Sequence, residues 1–249
     1  MVRSLTLMYH AVSDVLDDPL AVRVSDFDRQ LSDLVEAGYH GATARQILER
    51  PGDGRLLHVT FDDAYASVRN ALPTLERLRV PATIFVCTDY AADGRPLAIP
   101  ELDRVDSPDE LRTLTWDELR ELADDELIDV GSHTKTHVHL PQVGDAELRE
   151  ELDESRHAIE DHLGRPSPFI AYPFGEEDAR VRDATRRAGY LAAFGAPGTS
   201  LRLDQYSLPR TGLWRDEPAD RQRKKMRFSM RIASELSRPP RRLLRRIRG

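Results

Sequence analysis

The stretch that decides the fold reads LLHVTFDD, at residues 56–63. A short, mostly apolar run rich in strand-forming residues predicts a buried β-strand. The run ends in two adjacent carboxylates, those of Asp62 and Asp63. Parallel α/β proteins build their active sites at the C-terminal ends of strands. The stretch therefore predicts a buried parallel strand that delivers two acids to the functional edge of a sheet.

Strands and helices alternate along the chain on both sides of this stretch. Helical stripes of apolar residues separate short apolar runs that predict further strands at residues 5–9, 82–86, 127–132 and 169–172. The alternation is typical of a parallel α/β protein, either a barrel or an open sheet. Two histidines, His10 and His133, follow predicted strand ends in the same way as the Asp pair. We expect these side chains to meet at one edge of the sheet.

Local signals predict where several helices begin and end. Residues 25–28, Ser-Asp-Phe-Asp, resemble a capping box and predict a helix start. Pro73 is expected to bend or shorten the helix that follows the Asp pair. Thr115 and Glu118 cap a helix that runs through Leu122. A long helix from Leu148 to Leu163 ends at Gly164, and residues 91–108, rich in Gly, Pro and Asp, predict a surface loop near the site.

Composition excludes several classes of protein. No run of about 18 apolar residues is present, so no helical membrane span is expected. The first ten residues lack the longer apolar region and the cleavage site of a signal peptide. A single cysteine, Cys87, excludes an internal disulfide framework, and its apolar surroundings predict a buried, inert thiol. These features predict a soluble, cytoplasmic enzyme.

Charge is distributed unevenly along the chain. Residues 221–249 carry 12 Lys and Arg against one acid, whereas the other 220 residues carry 24 basic and 42 acidic groups. Met226, Met230 and Ala233 share one face of a basic helical pattern, which is typical of contact with an anionic membrane surface. A solvated tail, or one docked on the acidic body, is the alternative. We expect a boundary near residue 218, a basic tail at 219–249 that places the enzyme at the inner face of the cell membrane, and no binding to nucleic acid.

Two histidines, His133 and His137, lie four residues apart in GSHTKTH at 131–137. In a helix they would share a face, but the flanking residues favour a strand end that runs into a turn. One carboxylate and two imidazoles favour zinc or a similar transition metal over an all-oxygen calcium or magnesium site. The second carboxylate would remain free to take a proton from water. His139 is a weaker candidate, in a supporting or solvent-facing position.

The ordered motifs TFDD at 60–63, HTKTH at 133–137 and YPFG at 172–175 resemble the polysaccharide deacetylase family with the NodB homology domain. The resemblance extends from about Leu5 to about Leu213. It implies a distorted (β/α) barrel of about seven parallel strands, with residues 1–218 as the catalytic domain. It also implies metal-dependent removal of acetyl groups from N-acetylated sugars, polysaccharides or lipid-linked glycan intermediates. Zinc is the expected metal, with cobalt, nickel and manganese as alternatives.

The resemblance also implies roles for individual residues of the first two motifs. Asp63, His133 and His137 would bind the metal, and Asp62 would be the general base. Arg210, in the late segment Leu-Pro-Arg, would orient this base, with an ordinary surface arginine as the alternative reading.

The third motif and the opening strand complete the implied site. Tyr172, Pro173 and Phe174 would line the substrate, and the backbone N–H of Phe174 would stabilise the oxyanion. Many family members place a catalytic-acid histidine near the C-terminus, but no histidine follows His162 here. The opening LMYH at 7–10 resembles instead the circularly permuted branch, in which His10 would protonate the leaving amine. A buried structural histidine is the alternative.

Two departures from the family pattern bear on substrate and rate. Ala64 replaces the glycine that usually follows the Asp pair, and we expect it to narrow the pocket floor or to hold an ordinary φ. Ala171 replaces the arginine that often opens the third motif. Two other functions stay open: hydrolysis of another carbon–nitrogen or ester bond in a small molecule, and a catalytically silent glycan-binding, membrane-associated module.

Overall fold

A computed structural model of the chain describes residues 4–49, 54–97, 111–195, 204–218, 220–222 and 224–226. Within these ranges the strands are β1 (Leu5–Tyr9), β2 (Ala11–Val12), β3 (Ala21–Val22), β4 (His40–Gly41), β5 (Leu56–Phe61), β6 (Ala82–Val86), β7 (Ile128–Ser132), β8 (Phe169–Ala171), β9 (Ala192–Gly195), β10 (Leu208–Pro209) and β11 (Thr211–Gly212). The helices are α1 (Val24–Glu36), α2 (Ala44–Glu49), α3 (Leu72–Leu78), α4 (Trp116–Ala123), α5 (Asp145–Leu163) and α6 (Ala179–Arg187).

Nine of these strands form one parallel sheet that is nearly closed into a barrel. Its order is β10-β9-β8-β7-β6-β5-β1-β11, with β4 paired to the start of β5. The predicted barrel of about seven strands is confirmed, with three two-residue strands among the nine. The short strands β2 and β3 pair separately. The predicted parallel α/β class is therefore a barrel rather than an open sheet.

The barrel closes through a single residue of the main chain. β10 pairs with β9 at one end of the sheet, and β11 pairs with β1 at the other end. Only Arg210 lies between β10 and β11. The two edges of the sheet are thus joined covalently, and Arg210 lies at this seam.

The strand register brings the predicted site residues to one edge. Tyr9 is paired with Phe61 across β1 and β5, so His10 and Asp62 leave the sheet side by side. The backbone N–H of Asp62 donates to the carbonyl of Tyr9 at 2.9 Å. On the other side of β5, β6 separates it from β7, whose last residue precedes His133. The functional edge expected from the sequence is therefore formed.

The interior of β5 explains why its sequence forms a strand that is covered on both faces. Every residue from Leu57 to Phe61 is buried, as in other parallel sheets whose faces are packed against helices. The two polar residues inside the strand have partners. His58 bonds through Nδ1 to the carbonyl of Ala42 at 2.9 Å and through Nε2 to Thr83 Oγ1 at 3.0 Å. The hydroxyl of Thr60 donates to the Leu7 carbonyl at 2.9 Å.

The two predicted capping boxes differ in outcome, because the capping residue is close in the chain for α4 but distant for α1. Helix α4 has the predicted capping box between Thr115 and Glu118. The predicted capping box at residues 25–28 is wrong, because α1 begins at Val24 and its N-cap, Arg23, makes no side-chain cap. The backbone N–H of Val24 donates instead to Asp14 Oδ1 at 3.1 Å.

Three other local predictions can be compared with the structure. The helix at Pro73 is shortened rather than bent: Ala66–Ala71 form a 3₁₀ helix, and α3 begins at Leu72 with Pro73 in its first turn, where proline fits without loss of a hydrogen bond. Helix α5 ends as predicted at Gly164, whose φ is 65°. Of the predicted surface loop, residues 98–108 lie outside the described part, and Ala91 and Leu97 are buried.

The start of the predicted tail packs against the barrel. Met226 is buried in the main hydrophobic cluster. Lys225 Nζ lies 2.6 Å from Glu217 Oε1 and over the ring of Trp214. The prediction for residues 227–249 falls outside the described residues. In the ranges the structure does describe, no helix combines the length and apolar character that crossing a membrane requires.

Candidate active site

The three predicted metal ligands converge at the C-terminal edge of the barrel: Asp63, His133 and His137. Asp63 Oδ1 lies 3.5 Å from His133 Nε2 and 3.3 Å from His137 Nε2. The three ligand atoms all lie within 4.8 Å of one another. Because β6 alone separates β5 from β7, the ends of these two strands deliver the carboxylate and the imidazoles to the same place.

The two histidines are held by a turn rather than by a helix. Helical structure is absent between the end of β7 and Leu140, and Thr134 and His137 have left-handed φ values of 69° and 65°. His133 Nδ1 lies 2.8 Å from the Ala171 carbonyl, so Nδ1–H is the donor and Nε2 keeps its lone pair toward Asp63. Since burial lowers the pKa of His133, and lowers that of His137 to about 3, both rings are neutral at neutral pH.

The environment of Asp63 fits a cation. Its carboxylate is 1% exposed, and Oδ1 has no hydrogen-bond donor among the described residues. Burial and the charge of Asp62 raise the pKa of Asp63 well above its ordinary value. A buried, unpartnered carboxylate oxygen is costly unless a positive charge compensates it. Two neutral imidazoles and one carboxylate are the ligands of many divalent transition-metal sites, so these residues fit such an ion.

The second acid, Asp62, is paired with Arg210. Arg210 Nη1 donates to Asp62 Oδ1 at 2.5 Å, and Nη2 donates to Oδ2 at 2.8 Å. Arg210 is 1% exposed, which excludes the alternative of an ordinary surface arginine. Burial alone would raise the pKa of Asp62, but the charge of Arg210, with His133 and the paired hydrogen bonds, outweighs it and lowers the pKa to about 2. Asp62 is therefore a carboxylate at neutral pH and can accept a proton.

His10 lies beside this pair at the end of β1. Its ring stacks on Trp214 with centroids 5.4 Å apart. Its Nδ1 atom is buried, and the described part of the chain offers it no hydrogen-bond partner. Burial lowers the pKa of His10 to about 4, although the charge of Asp62 opposes this effect. The sequence did not point to Trp214, which reaches His10 because β11 pairs with β1.

The third motif forms a tight turn directly after β8. Phe174 has a φ of 57°, and its ring packs edge-on against His137 and flat against His139, with centroids 4.7 and 3.8 Å apart. His139 Nδ1 lies 2.9 Å from Glu176 Oε2, which places this candidate beside the ligands rather than among them. Pro173 is buried in the same turn.

The side chain of Tyr172 does not reach the substrate side. It is fully buried in a separate hydrophobic cluster. Its hydroxyl lies 3.2 Å from Thr185 Oγ1 and 3.0 Å from the Tyr206 carbonyl. The expectation that Tyr172 lines the substrate is corrected accordingly: in a strand that ends at Ala171 this ring points into the core, so only its backbone can face the site.

Left-handed backbone is concentrated around the site. The expectation of an ordinary φ at Ala64 is wrong, because this residue keeps the left-handed conformation that suits glycine. Strained residues of this kind cluster at functional sites. Of seven non-glycine residues with positive φ in the described ranges, four lie in the three motifs, and Ala64, with a φ of 50°, directly follows the first: the four are Asp63, Thr134, His137 and Phe174.

One buried acid of the site was missed by the sequence analysis. Glu151 of α5 is 4% exposed and bonds to the turn between the two histidines. A signal was available, since Glu151 falls inside the buried stripe formed by Leu148, Leu152 and Ile159. A charged residue on the core-facing side of a helix requires a partner.

Comparison with known proteins extends these findings. The family model for polysaccharide deacetylase matches residues 49–193. A poly-β-1,6-N-acetyl-D-glucosamine N-deacetylase of Staphylococcus aureus (strain MSSA476) is 21% identical over 197 residues, which cover 76% of this chain and 67% of that protein.

Solved structures show the same fold. BC0361, a polysaccharide deacetylase from Bacillus cereus, has a TM-score of 0.74 at 25% identity and covers 90% of this chain and 69% of that chain. IcaB from Ammonifex degensii has a TM-score of 0.71 at 21% identity, with 92% of this chain and 98% of that chain covered. The fold is therefore shared with both.

Proposed function

The chain belongs to the polysaccharide deacetylase family, hydrolases of carbon–nitrogen bonds, and from this premise we propose that it removes acetyl groups from N-acetylated glycans with the help of a divalent metal ion. One observation carries the proposal: Asp63, His133 and His137 converge next to a second carboxylate, Asp62, that Arg210 keeps ionised. Three side chains can thus bind the ion, while the carboxylate of Asp62 remains available to act as the base.

We propose a polymer of N-acetylglucosamine as the substrate. The S. aureus relative acts, by its name, on poly-β-1,6-N-acetyl-D-glucosamine. Oligomers with β-1,6 linkages are therefore the first substrates to test. Because the identity to that protein is low, oligomers of N-acetylglucosamine with other linkages are tested beside them.

Asp63, His133 and His137 would hold the ion, and we propose zinc because two of the three ligands are nitrogen. When bound in such a site, a divalent ion polarises the acetyl carbonyl and lowers the pKa of water from 15.7 to about 7. The hydrogen bond from His133 Nδ1–H to the Ala171 carbonyl holds the imidazole ring in the orientation that would present Nε2 to the ion.

Asp62 is the proposed general base. With a pKa of about 2 it is ionised across the physiological range, and it accepts the proton of the attacking water. Arg210 holds both carboxylate oxygens and so keeps the base from rotating away from its substrate. General-base assistance of this kind contributes about 10²–10⁴-fold to the rate.

His10 is the proposed acid for the leaving amine. Because its pKa lies near 4, it enters the reaction as a neutral imidazole. The proton that Asp62 takes from the water must therefore pass to His10, which then donates it to the leaving nitrogen and returns to its neutral form. The backbone N–H of Phe174 is the proposed donor to the oxyanion. Acetate and a free amino sugar are the products.

We further propose that residues 1–218 form the catalytic domain and that the basic residues 219–249 bring it to the inner, anionic face of the cell membrane. The support is the charge pattern of the sequence, in which the basic residues of the tail follow an acidic body. A cytoplasmic enzyme held there would meet lipid-linked glycans.

The test combines metal analysis with acetate release from N-acetylglucosamine oligomers. We expect about one zinc ion per chain, lost in His133→Ala, and acetate release that falls at least about 10²-fold in Asp62→Asn. The matched control is His157→Ala, since His157 is an exposed histidine of α5. Absence of bound metal in the purified wild type, or equal rates for wild type and Asp62→Asn, would contradict the proposal.

A further inference from the structure

Helix α5 carries a buried carboxylate with no part in the proposed chemistry. Leu148, Leu152 and Ile159 pack into the core, and Glu151 lies among them at 4% exposure. A carboxylate that is removed from water needs hydrogen-bond donors of its own. The groups that donate hydrogen bonds to Glu151 therefore indicate the role of this side chain.

Among the described residues, all its donors belong to the turn between the two proposed histidine ligands. The backbone N–H groups of Lys135 and Thr136 each donate to Glu151 Oε2 at 2.9 Å. The hydroxyl of Thr136 donates to Oε1 at 2.5 Å. Both carboxylate oxygens thus bind the segment that connects His133 to His137. Hydrogen bonds to a carboxylate are stronger than those between neutral groups.

The same helix holds the start of the turn one helical turn further on. The N–H of Thr134 donates to Ser132 Oγ at 3.0 Å, and Ser132 Oγ donates to Ser155 Oγ at 2.8 Å. Ser155 donates in turn to the carbonyl of Glu151 at 2.7 Å. Residues 151 and 155 share one face of α5, so this face contacts the turn at two points.

The backbone of this turn is strained at two residues, which is the kind of conformation that surrounding contacts maintain. Thr134 and His137 have φ values of 69° and 65°, in the left-handed region that is unfavourable for residues other than glycine. Within the described chain, Glu151 is not among the groups that could share an ion with Asp63. Its effect on that ion must therefore pass through the turn.

We propose that Glu151 is the positioning residue of the metal site: its carboxylate fixes the left-handed turn at 134–137 so that both imidazole Nε2 atoms face Asp63. The inference rests on the metal site of the proposed function. It assigns to α5, which supplies no ligand, control over metal affinity.

The experiment measures zinc affinity directly, by competition with a chromophoric chelator, together with the visible absorption spectrum of the cobalt-loaded protein. We expect Glu151→Gln to bind zinc about 10–100-fold more weakly and to change the cobalt spectrum, as losses around metal ligands usually do. The matched control is Glu150→Gln. Glu150 contacts the same turn but only through Lys135 Nζ, at 2.6 Å, and zinc affinity should not change.

The outcomes separate this inference from the proposed function. A wild-type protein that binds no zinc would refute the metal site, and the positioning role with it. Zinc binding in the wild type with equal affinity in Glu151→Gln would refute the positioning role alone, as would equal losses in Glu150→Gln and Glu151→Gln. If Glu151→Gln does not fold, Thr136→Val removes only the hydroxyl donor. It should weaken zinc binding by a smaller factor, and unchanged affinity would overturn the inference.

Discussion

Arg210 is paired with a carboxylate that lies 148 positions away in the sequence, and its charge lowers the pKa of that group. Its guanidinium is buried against Asp62 and donates a third hydrogen bond to Thr60 Oγ1 at 3.1 Å. Arginine suits this position because its planar fork matches both oxygens of a carboxylate and remains charged when buried. Removal of the guanidinium would leave Asp62, the proposed base, inside the protein without its counter-charge.

Arg210→Lys tests this role. Lysine keeps the positive charge but binds as a single point, so we expect the pKa of Asp62 to rise and kcat to fall by about 10²-fold or more. The measurement is the pH dependence of kcat, whose acid limb should move to higher pH, with zinc affinity nearly unchanged. Arg221→Lys, at an exposed arginine, is the control. A wild-type rate and pH profile in Arg210→Lys would exclude Arg210 as the residue that orients the base.

At the scale of elements, the sequence predicts those strands and helix ends that depend on residues close together in the chain. The strands β1, β5, β6, β7 and β8 were predicted because apolar runs bounded by turns carry their own signal. The cap of α4 was predicted because both of its members belong to one turn. The predicted start of α1 was wrong because the side chain that caps this helix, Asp14, belongs to a separate loop.

The remaining elements depend on contacts that no local pattern contains. Strands of two residues, such as β10 and β11, are too short to show any periodicity and form because longer neighbours pair with them. The same holds within the site. The three proposed ligands and Asp62 were predicted from motifs, but Glu151 and Trp214 act through tertiary contacts and were missed.

Helix α4 allows a prediction about acid stability. Glu118 accepts two hydrogen bonds from Arg112, at 2.8 and 3.0 Å, and one from the backbone of Thr115 at 2.9 Å. The hydrogen bonds from Arg112 are the main reason that its pKa falls from 4.5 to about 2. The folded state therefore prefers the ionised form, and this stabilisation is complete above pH 4.5 and is lost as the pH falls toward 2.

Glu118→Gln keeps the capping geometry and removes the charge. Since Glu118 is partly exposed and screened by solvent, we expect the variant to be less stable by only about 1 kcal/mol at pH 7, with the difference vanishing near pH 2. Urea unfolding at both pH values measures it. Glu121→Gln, at an exposed glutamate of the same helix, should change stability by less than about 0.5 kcal/mol. An equal loss at both pH values would contradict the argument.

At the scale of the whole molecule, the basic tail makes a prediction about membranes. Residues 227–249 contain eight of the arginines, and each basic residue near an anionic surface contributes about 1 kcal/mol before screening. Because Met226 is buried in the core, the appropriate truncation ends after Met226 rather than at residue 218.

We expect the full chain to sediment with phosphatidylserine vesicles at low salt and the truncated chain to remain in the supernatant. Neutral phosphatidylcholine vesicles are the control, and added salt should release the full chain. Equal sedimentation of the two chains would exclude the tail as the membrane contact. A full chain that stays in solution would exclude the membrane proposal.

The single-residue seam between β10 and β11 also sets the order of events during synthesis. Asp62 leaves the ribosome 148 residues before Arg210. At about 5–20 residues per second, this leaves Asp62 without its partner for roughly 7–30 s. In this interval the nascent chain contains the proposed base and the three proposed ligands but lacks the residue that connects β10 to β11. A single late residue thus links the two edges of the sheet and supplies the counter-charge of Asp62.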